Sequence, residues 1–187
     1  MSDDLTLADL RVKIDALDTE LLRLLNERAD VVHGVGVIKK RDGLQIYAPE
    51  REQALLQKLV AMNEGRLPEK SIRAIYREIM SAALALEEDL KIACLGPEGT
   101  WSHQAAIAKF GHSVEYQLQF SLEDVFEAVE RGKADYGVVP IENSSGGAVT
   151  DTLDRFADSP LTICAQILQP IENDLLSNGT REAIREI

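Results

Sequence analysis

The chain has 187 residues and a formal net charge of −12 at pH 7, with 45% hydrophobic residues. That length suits one large or two small globular units, and the acidic balance argues against a nucleic-acid partner. No apolar run nears bilayer-spanning length, and Met1 to Asp9 has no basic-then-apolar signal pattern, so no membrane association is expected and a cytoplasmic location is.

From Leu7 to Lys39, apolar residues recur at alternating three- and four-residue steps: Leu7, Leu10, Ile14, Leu17, Leu21, Leu24, Val31, Val35 and Ile38. This spacing predicts one long helix with a narrow heptad seam, the kind that packs against other long helices. Thr6 and Asp9 form a candidate capping box at its start, and Asp42-Gly43 a stop. Position 28 belongs to the seam but is Arg28. An arginine among seam leucines is costly unless an anion meets it. Lys39 follows after about three turns and leaves nearly the same face. Arg11 lies about 25 Å back along the axis and is rotated by roughly 100°. One small anion therefore meets both Arg11 and Arg28 only if they come from two copies of the chain. A helix of this length also outruns a compact unit of about 90 residues, so its far end is expected to be buried against another chain.

Pro49 suits the first turn of a second helix whose apolar face is Leu55, Leu56, Leu59 and Val60. Pro68 and Glu69 open a third. Ile72, Ile75, Ile79, Ala82 and Leu86 are expected to line its buried stripe, with Tyr76, Met80, Ala83 and Glu87 beside them. After the junction Asp89 to Lys91 the periodicity changes. Ile92 to Leu95 reads as a strand running into the turn Gly96-Pro97-Glu98-Gly99-Thr100, followed by a helix to Phe110. Val114 to Phe120 and Tyr136 to Ile141 read as strands, separated by a helix capped by Ser121. Glu142 to Gly147 reads as a polar turn, Thr150 to Phe156 as a helix, Leu161 to Leu168 as a strand and the chain end at Ile187 as helical. The fold class is thus multi-domain, α plus α/β, with an all-α unit over 1–89 and an α/β unit over 91–187. Cys94 and Cys164 sit in apolar runs and read as buried, reduced thiols.

The helical unit offers Arg11, Arg28, Lys39 and Arg51 around an apolar core, with Glu52 and Glu87 able to face inward. It has no nucleophile paired with a base and no phosphate loop, and the three histidines lack ligand spacing, so neither cofactor nor metal is expected. Several cations with few acids suit a small substrate bearing two carboxylates, and chemistry that needs only placement and charge stabilisation.

Residues 1–89 resemble the all-helical chorismate mutases. The matching residues are Leu10-Arg11, Ile14-x-x-Leu17-Asp18, Glu27-Arg28, Val35-Gly36-x-x-Lys39, Tyr47-x-Pro49-Glu50-Arg51-Glu52 and Ile79-Met80-Ser81-Ala82. Residues 91–187 resemble the start of prephenate dehydratase, through Leu95 to Thr100 and Val139-Pro140-Ile141-Glu142-Asn143-Ser144-Ser145-Gly146-Gly147. The resemblance implies an intertwined helical homodimer followed by the first lobe of a periplasmic-binding-protein-like α/β fold. It implies a [3,3] rearrangement of chorismate to prephenate, in phenylalanine biosynthesis. By that analogy Arg28 and Arg11 of the partner subunit grip the substrate carboxylates, Lys39 and Glu87 act at the ether oxygen, Glu52 accepts from the ring hydroxyl, and Arg51 supports the site. An ionised Glu87 would repel the ether oxygen, so burial is expected to raise its pKa.

The sequence departs from the family at Ala48 and Ala83, where an acid and a small hydroxyl are frequent. On the dehydratase side, Thr100, Asn143, Ser144 and Ser145 are the expected remnant of a second site. Thr180-Arg181 is followed by Glu182 and does not supply the family's Thr-Arg-Phe motif. The dehydratase portion is expected to be incomplete and inactive, and the sequence to be a piece of a longer protein or a natural short form. The alternative is a non-catalytic dimerisation module carrying a lobe that senses an aromatic acid.

Overall fold

The computed structural model describes residues 6–45, 47–172 and 179, so the expected C-terminal helix and Thr180-Arg181-Glu182 lie outside the described residues. Helix α1 spans Leu7–Arg41, 35 residues or about 52 Å. Its capping box forms as the sequence implies: the Asp9 amide donates to Thr6 Oγ1 (3.2 Å) and the Thr6 amide donates to Asp9 Oδ2 (2.9 Å). It stops at Asp42, and Gly43 turns the chain with a φ of 67°. Helix α2 spans Pro49–Ala61, with proline at the start where its missing N–H costs nothing, and α3 spans Glu69–Glu87.

The seam of α1 faces solvent in the single chain; Leu17 is 63% exposed and Val31 65%. Helix α3 departs from the expected pattern. Its buried positions are Ile72, Met80, Ser81 and Ala83, while Ile75 and Leu86 are exposed. The second of the two apolar stripes therefore meets α1 and α2, and most of the first lies open. Periodicity places two stripes on a helix but does not say which neighbour each will find.

Three residues after α3, strand β1 (Lys91–Leu95) begins. Helix α4 (Trp101–Phe110), β2 (Glu115–Gln119), α5 (Leu122–Glu130) and β3 (Tyr136–Val138) follow. The three strands form a parallel sheet in the order β2-β1-β3. Central β1 is covered on both faces. Ile92 and Cys94 point to a cluster with Ala106 and Phe110 of α4, and Ala93 points to Val125 and Ala128 of α5. Strand β3 is shorter than expected and ends before Pro140, which has no N–H for the ladder. The expected turn after it is a small antiparallel hairpin, β4 (Glu142–Asn143) and β5 (Gly147–Ala148), leading into α6 (Thr150–Asp158). Among the described residues, 161–168 pair with no neighbouring strand, so the expected strand is not seen there. Cys164 on that segment is exposed, whereas Cys94 is buried.

The helical and α/β portions share a core. Tyr47, in the segment between α1 and α2, is 3% exposed and packs with Leu90, Ile92 and Phe110. Its ring centre lies 5.0 Å from that of Phe110 and 5.3 Å from that of Tyr136, with Lys109 Nζ 5.7 Å away. Alongside, the Ser113 amide donates to Ser81 Oγ (3.0 Å), and Glu78 bonds both the amide and the ring of His112. A Cβ at Gly111 would overlap Ser81, so glycine is required where α4 ends against α3. The Tyr47 hydroxyl is buried without a hydrogen-bond partner among the described residues. Removing only the hydroxyl, by Tyr47→Phe, is expected to leave stability unchanged or raise it by about 1 kcal/mol. Tyr47→Ala is expected to cost about 3–5 kcal/mol. Denaturant titration followed by circular dichroism measures both, and a phenylalanine variant less stable than the parent would mean that the hydroxyl is satisfied.

Candidate active site

The C-terminal half of α1 and the end of α3 meet at Gly36, the one buried residue of α1. A Cβ at Gly36 would lie 2.9 Å from Glu87 Cγ and 3.1 Å from Glu87 Oε2. The helices are held there by Lys40, whose Nζ donates to the Glu87 carbonyl (2.7 Å). That contact also satisfies a carbonyl left open at the helix end and sets a cation against its negative dipole.

Glu87 is half-buried, and its Oε2 is shielded from solvent with no hydrogen-bond partner among the described residues. Burial pushes its carboxyl above the ordinary range, against the opposing pull of Lys39, Lys40, His33 and Arg28. Loss of hydration thus outweighs four neighbouring groups that favour the ionised form. Arg28 and Lys39 are both half-buried. The structure accordingly brings Arg28, Lys39 and Glu87 of the expected set into one neighbourhood.

Glu52 is buried in the first turn of α2 and forms an ion pair with Arg77 of α3. Arg77 was not among the candidates read from the sequence. It falls beyond the second apolar stripe, on the side away from the first, and carries no motif of its own. Only the packing of α2 on α3 gives it a buried carboxylate to meet. Burial lowers its pKa, against the opposing pull of Tyr47, Glu78 and Tyr116. Arg51, one residue before Glu52, is exposed. Arg11 is exposed on the N-terminal half of α1, roughly 25 Å of helix from Arg28, and the single chain does not unite them. Ala48 precedes α2 and makes no side-chain cap, and Ala83 is buried beside the site.

In the α/β portion, Thr100 caps α4. It accepts from the His103 amide (3.3 Å) and donates to the Leu95 carbonyl (2.7 Å). Asn143 accepts at Oδ1 from the amides of Ser145 (3.0 Å) and Gly146, closing the β4–β5 turn, and Ser144 and Ser145 are exposed. Thr100 follows the carboxyl end of β1, and the hairpin follows that of β3, the edge at which open α/β sheets receive ligands. Among the described residues no helix is long and apolar enough to cross a membrane.

The helical region and the open parallel sheet match two different family models. Prephenate dehydratase matches residues 92–187, and chorismate mutase type II matches residues 10–88. The chain belongs to the prephenate dehydratase family, with a chorismate mutase type II region ahead of the dehydratase portion. A bifunctional chorismate mutase/prephenate dehydratase of Aquifex aeolicus (strain VF5) is 46% identical over 175 residues, covering 91% of this chain and 48% of that protein. The protein of the same name from Neisseria gonorrhoeae is 43% identical over 179 residues, covering 95% and 49%, and that from Escherichia coli K12 is 32% identical over 199 residues, covering 97% and 52%. The chain spans about half the length of the curated relatives it matches. The solved chorismate mutase (form II) of Thermus thermophilus is 41% identical, with a TM-score of 0.41, over 42% of this chain and 89% of that one.

The Glu52–Arg77 pair yields a stability prediction. Arg77→Met leaves a buried carboxylate without its counter-charge and is expected to cost about 3–5 kcal/mol. The double variant Glu52→Gln/Arg77→Met removes both charges and should recover most of that loss. Urea titration of the parent, both single variants and the double variant measures the coupling, and additive losses would exclude the pair as a coupled unit.

Proposed function

We propose that the helical region, residues 1–89, is a chorismate mutase that converts chorismate to prephenate. In this reading residues 91–187 are the first lobe of a prephenate dehydratase domain. The observation that carries it is the half-buried Glu87 carboxyl, pushed toward its neutral form beside Arg28 and Lys39. A [3,3] rearrangement needs no proton transfer and no covalent bond to the enzyme. It needs the substrate held in its compact chair and the charge growing on the ether oxygen met by donors. Lys39 and a neutral Glu87 are two such donors. Arg28 binds a substrate carboxylate bidentately and draws Arg11 of the partner subunit to the same ligand. Glu52 accepts from the ring hydroxyl, with Arg77 paired to it, and Arg51 adds positive charge at the rim.

The reading includes a homodimer. The exposed seam of α1, together with Ile75 and Leu86 of α3, supports it, because water-facing apolar rows of this extent fit a protein–protein interface. A cytoplasmic location and phenylalanine biosynthesis as the setting go with it. The dehydratase activity of the relatives is not assigned to this chain.

Loss of chorismate absorbance on adding the purified chain tests the activity, and no turnover by a folded dimer would refute it. The pH profile of kcat/KM tests the mechanism. The neutral form of Glu87 donates, its fraction falls as pH rises through the raised pKa, and activity should fall with it. Linkage has the same sign. The folded chain holds this proton more tightly than the unfolded one, so its contribution to stability is full at acid pH and is lost as pH rises through the raised pKa. Glu87→Gln donates at every pH and should extend activity to higher pH, and Glu87→Ala should lose on the order of 10²-fold in kcat. A flat parent profile would remove Glu87 as the titrating donor.

Subunit exchange tests the shared site. Arg11→Ala and Arg28→Ala chains are each expected to be inactive alone. Mixed heterodimers contain one site with both arginines and one with neither, so activity should return to part of the parent level. Confirmed heterodimers without activity would exclude a site built from two chains.

A further inference from the structure

We propose that Gly36 is a positioning residue of the mutase site, and that its missing side chain is what lets Glu87 hold its carboxyl beside the cations of α1. The proposal rests on the mutase reading above and goes beyond it to a residue that makes no contact with substrate. Helix α1 carries two interior glycines, Gly34 and Gly36, two residues apart. An interior glycine weakens a helix relative to alanine, so each invites an explanation. Gly34 is exposed, and a Cβ there would meet nothing within 4 Å. Gly36 is buried, and the three nearest atoms to its missing Cβ all belong to one side chain: Glu87 Cγ at 2.9 Å, Oε2 at 3.1 Å and Cβ at 3.3 Å.

The clash is therefore with the Glu87 side chain and not with the α3 backbone. That backbone is also tied to α1, because Lys40 Nζ donates to the Glu87 carbonyl. A side chain at position 36 leaves Glu87 two ways to relieve the overlap. It can turn about its own torsions, or α3 can break the Lys40 contact and withdraw. Either way the carboxyl leaves the desolvated position in which Lys39, Lys40, His33 and Arg28 face it. Substrate carboxylates are gripped elsewhere, by the arginines, so substrate binding should hardly change while the transition-state contact weakens.

The test uses the full chain with Gly34→Ala, Gly36→Ala and Gly36→Val, each also built on Glu87→Ala. Gly34→Ala should raise the melting temperature and leave kcat and KM as in the parent. Gly36→Ala should lower kcat roughly tenfold and Gly36→Val on the order of a hundredfold, approaching the cost of a lost oxyanion donor, with KM within about threefold. On the Glu87→Ala background the same changes should cost no further activity, since the group they displace is gone. NMR titration of the Glu87 carboxyl supplies a readout independent of turnover: its pKa should fall in Gly36→Ala and stay in Gly34→Ala. The proposal is overturned if both Gly36 variants keep kcat within twofold, if their losses persist without Glu87, or if the Glu87 titration does not move. Gly36→Ala is small enough to keep the test decisive should Gly36→Val fail to fold. A parent without chorismate turnover refutes the mutase reading and with it any catalytic role for Gly36, and the titration still reports separately whether Gly36 sets the Glu87 carboxyl.

Discussion

Helices α1 and α3 approach so closely at Gly36 that the Glu87 side chain fills the space a Cβ would occupy. Much of the remaining site follows from that approach. It shields Glu87 Oε2 from water and raises the carboxyl's pKa, despite the basic groups on α1. Lys40 reaches across to the end of α3 and fixes the crossing. The same crossing sets Arg28 and Lys39 along one wall, where an anion can be met by more than one cation.

The second constraint is the short passage from α3 into β1. Only three residues separate Glu87 from Lys91, so the helix carrying the candidate donor is anchored almost directly to the central strand of the sheet. Tyr47 strengthens the link by burying its ring against Phe110 and Tyr136, and the bonds of Ser81 and Glu78 to residues 112 and 113 add a polar edge. Tyr47 also stands two residues before α2, whose first turn carries Arg51 and Glu52. Packing between the helical and α/β portions therefore bears on where those two residues sit.

Regular patterns made most of the architecture legible. Alternating three- and four-residue steps, the Thr6–Asp9 box, Pro49 and Gly43 mark the three long helices, since each acts through local backbone geometry. The apolar run at Ile92, the Ser121 cap and the alternation of strand and helix mark the parallel sheet for the same reason. Motif spacing carried the two families, because it reflects which side chains a site needs and where a helix or turn will present them.

Other features depend on which surfaces meet. Two apolar stripes on α3 were visible, but only packing assigned the inner one to Met80 and Ala83 and left Ile75 and Leu86 open. The run at 161–168 has the composition of a strand, yet a strand exists only where a neighbour accepts its hydrogen bonds, and none does among the described residues. Arg77 became the partner of Glu52, and Tyr47 part of the sheet's core, through contacts between residues distant in the chain. The sequence by itself determined most of the elements, their order and most of the residue types of the site, because those follow from neighbours a few positions apart. The tertiary structure decided which glycines lie against another side chain, which arginine is paired and how far the Glu87 carboxyl is removed from water, because each depends on distance and dielectric between separate elements.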